Sequence, residues 1–473
     1  MNHPAFRPSA PMMSLQIDRE RTAHLLRRFG LGASEAELDY YSEGGYKGAV
    51  EKLLNYEQVE EGAVLSMDAL RNDKAVVNMP SVIAWWTVRL LTTRKPLQEK
   101  MTLFWHDHFA TSASKVAAPM TMYRQNEVLR ENSTGKFRTL LGEISKDPAM
   151  LFWLDNQENV RGKPNENFAR EVMELFTLGI GNYTEKDVQE AARAFTGWSI
   201  QRLNKEQALA KRQQAEFAFR PLRHDSGEKT VLGKTGDLNG DDVLDLLCEM
   251  PRTSEYLTEK IWKWFVSPAP TSAVIAKHAK VFRDSGLDIK ALLRSIMLSE
   301  EFYSPAAMRS IVKNPIDFCV PIFRQLGVGV VLENAIGQVS EDGSIRRPAI
   351  APAFAVQQAT KNMGMWLMYP PDVNGWEGGD AWITSATMVE RMKWAERALT
   401  PLLLSNLFEI FTPKGVVDKL VSVLDAPIKP EKIPALVQAA EKASGGNVTR
   451  KNLSATAVAV GRLIFAAPEF QFA

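Results

Sequence analysis

Apolar residues recur at three- and four-residue intervals along most of this chain, the spacing of helices that bury one face. Ser34 followed by Glu37 has the form of a capping box and predicts a helix start. Pro80 opens PSVIAWWTVRLL, whose apolar residues fit a buried helix. Pro96, at a first-turn position, opens KPLQEKMTLFWHDHF, and Asp147 is placed to cap a helix begun by Pro148. The best-defined helix is PNENFAREVMELFTLGIG, with Phe168, Val172, Leu175 and Phe176 at helical spacing and Gly179 and Gly181 to stop it. Thr184 with Asp187 then starts another, with Val188, Ala191, Ala192 and Phe195 on one face, so the pair reads as an αα-hairpin.

One stretch leaves the helical rhythm. AEFAFRPLRHDSGEKTVLG alternates Phe217 and Phe219, turns through His224 to Gly227 and returns through Thr230, Val231 and Leu232, the signature of a small β-hairpin. GDLNGDDVLDLL after it resembles a calcium loop at Asp237, Asn239 and Asp241. However, Asp242 replaces the turn glycine and Cys248 the bidentate acid, so an acid-rich helix start is the better reading. The expected fold is mainly α, a large multi-helix assembly with one small β-hairpin insertion. Residues 1–18, with three prolines and no periodic pattern, read as a flexible lead. Residues 19–400 read as the helical core and 401–473 as a C-terminal helical segment packed on it.

Composition narrows the classes of partner. The 473 residues carry 57 basic and 56 acidic side chains, so no global field points to nucleic acid. The two cysteines, Cys248 and Cys319, are too few and too far apart for a thiolate zinc cage or a covalent haem site, and read as free buried thiols. No apolar run approaches the ~20 residues of a spanning helix, so an integral membrane protein is not expected. The first residues lack the apolar stretch of an export signal, which makes a cytoplasmic location the default expectation.

Chemistry concentrates in four places. FWHDHFATS sets His106 and His108 one residue apart in a chain with six histidines. On a continuous helix His108 falls with Leu97, Met101, Phe104 and Trp105 while His106 points the opposite way. The pair can therefore share an ion only if the helix ends near Trp105. The alternative is a core His108 and a surface His106. Asn167, Glu171 and Glu174 form a polar stripe, with Glu171 at the margin of the apolar face, where a carboxylate needs a partner, a metal or a raised pKa. A structural ion pair, for instance to Arg193, is the plainer explanation. His224 and Asp225 sit at the expected hairpin turn, as a base, a ligand or ordinary turn residues. Finally, YPPDVNGWEGGDAWIT, Tyr369 to Thr384, combines Asp372, Asn374 and Trp376 with a second tryptophan and three glycines, a composition suited to the wall of a binding site.

Taken together, HLLRRFGLGAS, FWHDHFATS, NENFAREVMELFTLGIGNYTEKDVQEAARAFTGW, RHDSGEKTVLG, EYLTEKIWKWFV, PPDVNGWEGGDAWIT and the closing APEFQ resemble the bacterial domain-of-unknown-function family number 1800 (DUF1800) almost end to end. The resemblance implies a largely helical protein. It also implies a partner, since members are often encoded beside a sulfatase-like family, DUF1501, and an extracytoplasmic role, since many carry export signals. Positions matching the family's motifs include His106, His108, Glu166, Arg170, Glu171, Glu174, His224 and Asp225. The functional expectation is a metal-dependent enzyme of hydrolytic type. In it His106, His108, Glu171 and His224 hold zinc or another divalent first-row metal, Glu174 or Asp225 acts as base, and Asn167, Arg170, Asp372, Asn374 and Trp376 bind substrate. A non-covalent haem ranks below it. The alternative is a non-catalytic helical scaffold that binds the sulfatase-like neighbour or an envelope polymer, its histidines and Glu171 forming a buried polar network. No Gly-rich phosphate loop follows a strand, which sets nucleotide chemistry aside.

Overall fold

Capping side chains and first-turn prolines set the helix starts. The computed structural model describes residues 10–70, 77–338, 345, 347–404 and 407–473. Numbering only the elements used below, α1 is Ala10–Phe29 and α2 Glu35–Ser42, which Ser34 and Glu37 close with a capping box. Helix α3 (Met79–Thr92) is capped by Asn78 with Pro80 in its first turn, and α4 (Pro96–His108) begins on its proline. After α5 (Pro119–Glu131) comes α6 (Pro148–Trp153), capped by Asp147, whose carboxylate accepts from two backbone N–H groups. Next are α7 (Asn167–Met173) and α8 (Glu185–Ala194), the latter with the Thr184–Asp187 capping box. Helix α1 takes in residues 10–18 of the expected lead, and the rest of that lead, 1–9, lies outside the described residues.

The β region differs from the expected single hairpin. Strand β1 (Trp198–Arg202) pairs antiparallel with β2 (Ala215–Phe219), and β3 (Lys229–Val231) pairs with β4 (Lys234–Gly236). Ala215 to Phe219 therefore does not return onto Thr230 and Val231. The register sets Ile200 opposite Phe217, and the Trp198 ring lies edge-on to Phe217 at 5.5 Å, so WSIQR offers this strand the apolar cross-strand partners. The calcium-like stretch forms an acid-rich helix start. Asn239 and Asp242 make a capping box for α9 (Gly240–Glu249), and Asp241 pairs with Lys146. Helices make up 63% of the protein, so the fold is mainly α with a small β insertion.

Later helices complete the frame: α10 (Pro251–Phe265), α11 (Pro315–Gln325), α12 (Ala351–Asn362), α13 (Ser385–Ala398) and α14 (Leu453–Ala466). Two apolar cores result. One unites α3 with α11 to α14 through residues such as Trp86, Phe318, Val356, Trp394 and Phe465, so the segment 401–473 packs into a core begun near residue 79. The other gathers α1 and residues from 97 to 307, including Phe29, Phe104, Phe168, Phe195 and Phe265. Helix α4 lies on the seam between them: Leu103 belongs to the first core, Leu97, Met101, Phe104 and Trp105 to the second. Both cysteines are free thiols. Among the described residues no single helix is long and apolar enough to cross a membrane. Only α11 with the short helix Val328–Ile336 passes on composition, as a pair bent by 80°; Phe318, Val320, Ile322, Val328 and Leu332 of the pair are buried in the first core, while Val330 and Val331 are exposed.

A helix buried on both sides must pair its charges. Glu99 of α4 is fully buried and accepts from Trp86 Nε1 at 3.0 Å and Arg130 Nε at 2.6 Å, with Arg89 as a third donor. The guanidinium groups hold its pKa down to about 2 against the opposing effect of burial. Its neighbour Lys100 pairs with Asp317 of α11. Removing the Glu99 charge takes the shared carboxylate from buried Arg130 and half-buried Arg89, which keep only Glu127 and Glu61 as acidic partners among the described residues, so Glu99→Gln is expected to cost about 3 kcal/mol of unfolding free energy. Urea denaturation checks this, and a loss below about 1 kcal/mol contradicts it.

Candidate functional site

Where α4 ends at the seam, the two cores leave a cavity of about 510 Å³, within the size range of small-molecule sites. Its walls include Phe104, Trp264, Trp376, Trp382, Val312 and Phe472, and the polar groups among them include Asp107, His108, Lys260, Asn314, Asp317 and Asp380. The Tyr369–Thr384 loop thus faces the same space as His108. Asp107, the residue between the two histidines, anchors that loop: its Oδ1 accepts the Trp376 N–H at 2.8 Å. Gly375 has φ +82°, and a Cβ there would lie 2.4 Å from Asp107 Oδ1, so only glycine lets the loop close on the carboxylate.

The two histidines face different cores because α4 runs unbroken to His108. Both are buried, including His106, which the wheel turned toward solvent. His106 Nε2 accepts the Met368 N–H at 3.2 Å, and its ring packs edge-on to Trp86 at 5.1 Å. Met368 is in the left-handed region at φ +66°, and its carbonyl accepts from Ala113 N–H at 2.8 Å. The histidine thus helps hold a strained residue at the loop's base. His108 Nε2 donates to the Phe176 carbonyl at 3.2 Å. That carbonyl lies in a π-helical turn, Glu174–Leu178, which continues α7 and leaves acceptors free of their usual intrahelical partners. The buried Nδ1 of His108 has no hydrogen-bond partner among the described residues.

Charge in the cavity is poised by burial. Desolvation raises Asp107 to about 6 despite the Trp376 N–H and the field of Lys260. Desolvation lowers Lys260, on α10, to about 8 against the pull of Asp107. The two feel each other but form no ion pair with one another, and the Tyr256 ring lies 5.6 Å from Lys260 Nζ. Burial lowers His106 to about 3 and His108 well below its ordinary value.

The other expected site residues lie elsewhere. Glu171 is half-buried and raised by desolvation, then by the charges of Glu174 and Asp372, with Arg170 opposing. These carboxylates thus sit within electrostatic range as a group outside the cavity lining. Glu174 accepts from the Tyr183 hydroxyl, and Arg170 pairs with Glu166 and Glu185. Asn167 is exposed on α7, and Asp372 and Asn374 are exposed in an Asx turn of the loop. Arg193, offered as a partner for Glu171, instead pairs with Asp225 at 2.8 Å and with Glu190. Beside it, His224 Nδ1 donates to the Thr196 carbonyl at 2.9 Å. Of the expected residues, His108 and Trp376 line the cavity and His106 backs it. His106, His108, Glu171 and His224 do not converge. Among the described residues no three His, Cys, Asp or Glu side chains form a group able to hold a metal ion. The physical reason is the continuous helix, which sends i and i+2 to opposite sides.

Sequence reasoning passed over Asp107 and Lys260. The signal was present in the chain: Lys260 immediately precedes the aromatic run IWKWF, and Asp107 stands amid FWHDHF, so both are charges beside aromatics, which burial must perturb.

Fold and cavity define a mainly helical protein with one aromatic-walled site between two cores. The chain belongs to the family described as "Protein of unknown function (DUF1800)", whose profile matches residues 24–472. Neither the curated proteins nor the solved structures contain a significant match.

The buried histidines make stability depend on pH in a stated direction. His24, His106 and His278 are lowered by burial to about 2, 3 and 4, and His108 falls with them. Below about pH 6.5 the unfolded chain therefore binds protons that the folded one refuses, and stability drops as pH falls. Asp107 and Asp147, raised by desolvation to about 6 and about 7, act in the opposite sense above their unfolded pKa. Four histidines against two acids leave a net loss between about pH 6 and 4.5, up to ~1.4 kcal/mol per pH unit for each uncompensated proton. Urea midpoints at pH 7, 5.5 and 4.5 should fall in that order, and a flat or rising series contradicts the assignment.

Proposed function

We propose that this protein is an enzyme that binds a small ring-bearing organic molecule in the seam cavity and acts on it by proton transfer. Asp107 carries the proton and Lys260 supplies the opposing charge. The observation that supports this reading most is that an acid and an amine face one aromatic cavity without meeting in an ion pair. Both line the cavity, and desolvation brings both toward neutral pH, where a proton carrier works best. The tryptophan faces give a flat ring its stacking surface. A metal-dependent hydrolase, the expectation from sequence, needs three or more donors around one ion. The donor arrangement described above does not fit that need, so the proposal runs through acid–base chemistry.

The scaffold reading has one observation in its favour: His106 spends its lone pair on the Met368 backbone, as a structural network residue does. The test separates the two. Thermal-shift and tryptophan-fluorescence screens with small aromatic and sugar-ring compounds should return ligands that Trp376→Phe weakens about tenfold, or ~1.4 kcal/mol. For a ligand that is turned over, Asp107→Asn should leave binding within about threefold while slowing turnover about 10²–10⁴-fold. With Asp107 as base and Lys260 as cation, kcat/KM should plateau between the two values given above and fall on both sides. An empty screen, or turnover indifferent to Asp107→Asn, overturns the enzymatic reading and returns the protein to a scaffold for a sulfatase-like partner or an envelope polymer.

A further inference from the structure

The most exposed large apolar side chain among the described residues is Leu222, at 98%, and Phe219 three residues earlier is 45% exposed. Phe219 ends strand β2, and Leu222 sits in the short 3₁₀ turn, Pro221–Arg223, that follows it. The turn is firmly held. Arg220 N–H donates to the Gly197 carbonyl at 2.8 Å, and Arg223 and His224 N–H close back onto Arg220 and Pro221 at 2.9 and 3.1 Å. Gly197 has φ +83°, and a Cβ on it would lie 2.8 Å from the Arg220 carbonyl, so the two segments are fitted together at close range. At 98% exposure Leu222 makes almost no packing contact with the fold that holds its turn.

Its surroundings are basic. Arg220 and Arg223 are exposed in the same turn, and the Arg161 N–H donates to the Arg223 carbonyl at 2.7 Å, bringing exposed Arg161 and Lys163 alongside. None of these four side chains takes part in an ion pair or side-chain hydrogen bond among the described residues, whereas nearby Arg170 and Arg193 are both paired. Of the acids nearby in sequence, Asp225 is paired with Arg193, Glu166 with Arg170 and Glu216 with Lys211, while Glu158 and Glu228 are exposed. In a chain with a net charge of only +1, four unpaired cations around two exposed apolar side chains are a local concentration.

We propose that this turn docks the protein on an anionic lipid surface. Leu222 and Phe219 enter the boundary of the acyl chains while Arg161, Lys163, Arg220 and Arg223 stay among the headgroup phosphates. A bilayer suits the shape, because a projecting leucine needs a deformable apolar medium rather than a matching pocket. A polyanion such as nucleic acid would use the cations and leave Leu222 in water.

Co-sedimentation of the full chain with vesicles of phosphatidylglycerol and phosphatidylcholine, against vesicles of phosphatidylcholine alone, tests this. Heparin serves as a soluble polyanion control. Binding is expected to the anionic vesicles only, reduced at 0.5 M salt. It should weaken at least fivefold both in Leu222→Ser and in the double variant Arg220→Ser/Arg223→Ser, whose side chains are exposed and whose folding is checked by circular dichroism. Absence of sedimentation with anionic vesicles overturns the proposal. So does binding that Leu222→Ser leaves unchanged, or heparin binding as tight as vesicle binding, either of which makes the patch a general polyanion surface.

Discussion

The ion cluster around Glu99 fixes the helix on which the candidate site is built. A helix lying between two apolar cores has no solvent face for a carboxylate, and Glu99 is tolerable there only because Arg89, Arg130 and Trp86 supply donors from the flanking helices. Lys100, the next residue, reaches the other way to Asp317. Two adjacent charges paired in opposite directions set both the depth and the rotation of the helix. Once those are set, Asp107 and His108 at its C-terminal end have no freedom to choose what they face.

That end is where the cores fail to close. The loop from Tyr369 to Thr384 covers the gap, pinned by a backbone N–H on Asp107, by the close approach of Gly375 and by His106 beneath Met368. The histidines thus answer to two different demands. His106 supports the loop, and His108 ties the helix to the π turn after Met173 while keeping one ring nitrogen, in a wall of the cavity, without a hydrogen-bond partner among the described residues. Lys260 arrives from the helix carrying IWKWF, where aromatic neighbours strip water from its amine.

Much of the fold was legible because its punctuation is local. Ser34, Asp147, Thr184 and the prolines at 80, 96 and 148 mark helix starts through bonds made within three residues. The hairpin was misassigned because strand pairing is not local: nothing in AEFAF says that WSIQR, thirteen residues upstream, outcompetes TVL. The candidate site was half legible. Histidine scarcity drew attention to Phe104 to Ser112, a segment that reaches the cavity, and passed over Asp107 between the two histidines. A helical wheel sorts side chains between one core and solvent, whereas this helix has a core on each side, so His106 could not be placed and Asp107 looked like a spacer. Glu174, His224 and Asp225 took partners of their own, Tyr183, Thr196 and Arg193, and Glu171 lies beside like charges outside the cavity lining, an outcome that depends on how the helices are arranged in space.

The account stands or falls on Asp107 and Lys260 sharing a desolvated cavity. The direct measurement is an NMR titration of the Lys260 ammonium in the wild type and in Asp107→Asn, with Lys260→Arg to assign the signal. A midpoint near 8 that drops further when the Asp107 charge is removed is the predicted result, because burial lowers the amine and the carboxylate holds it up. A lysine that titrates at its ordinary value and ignores Asp107→Asn would contradict it.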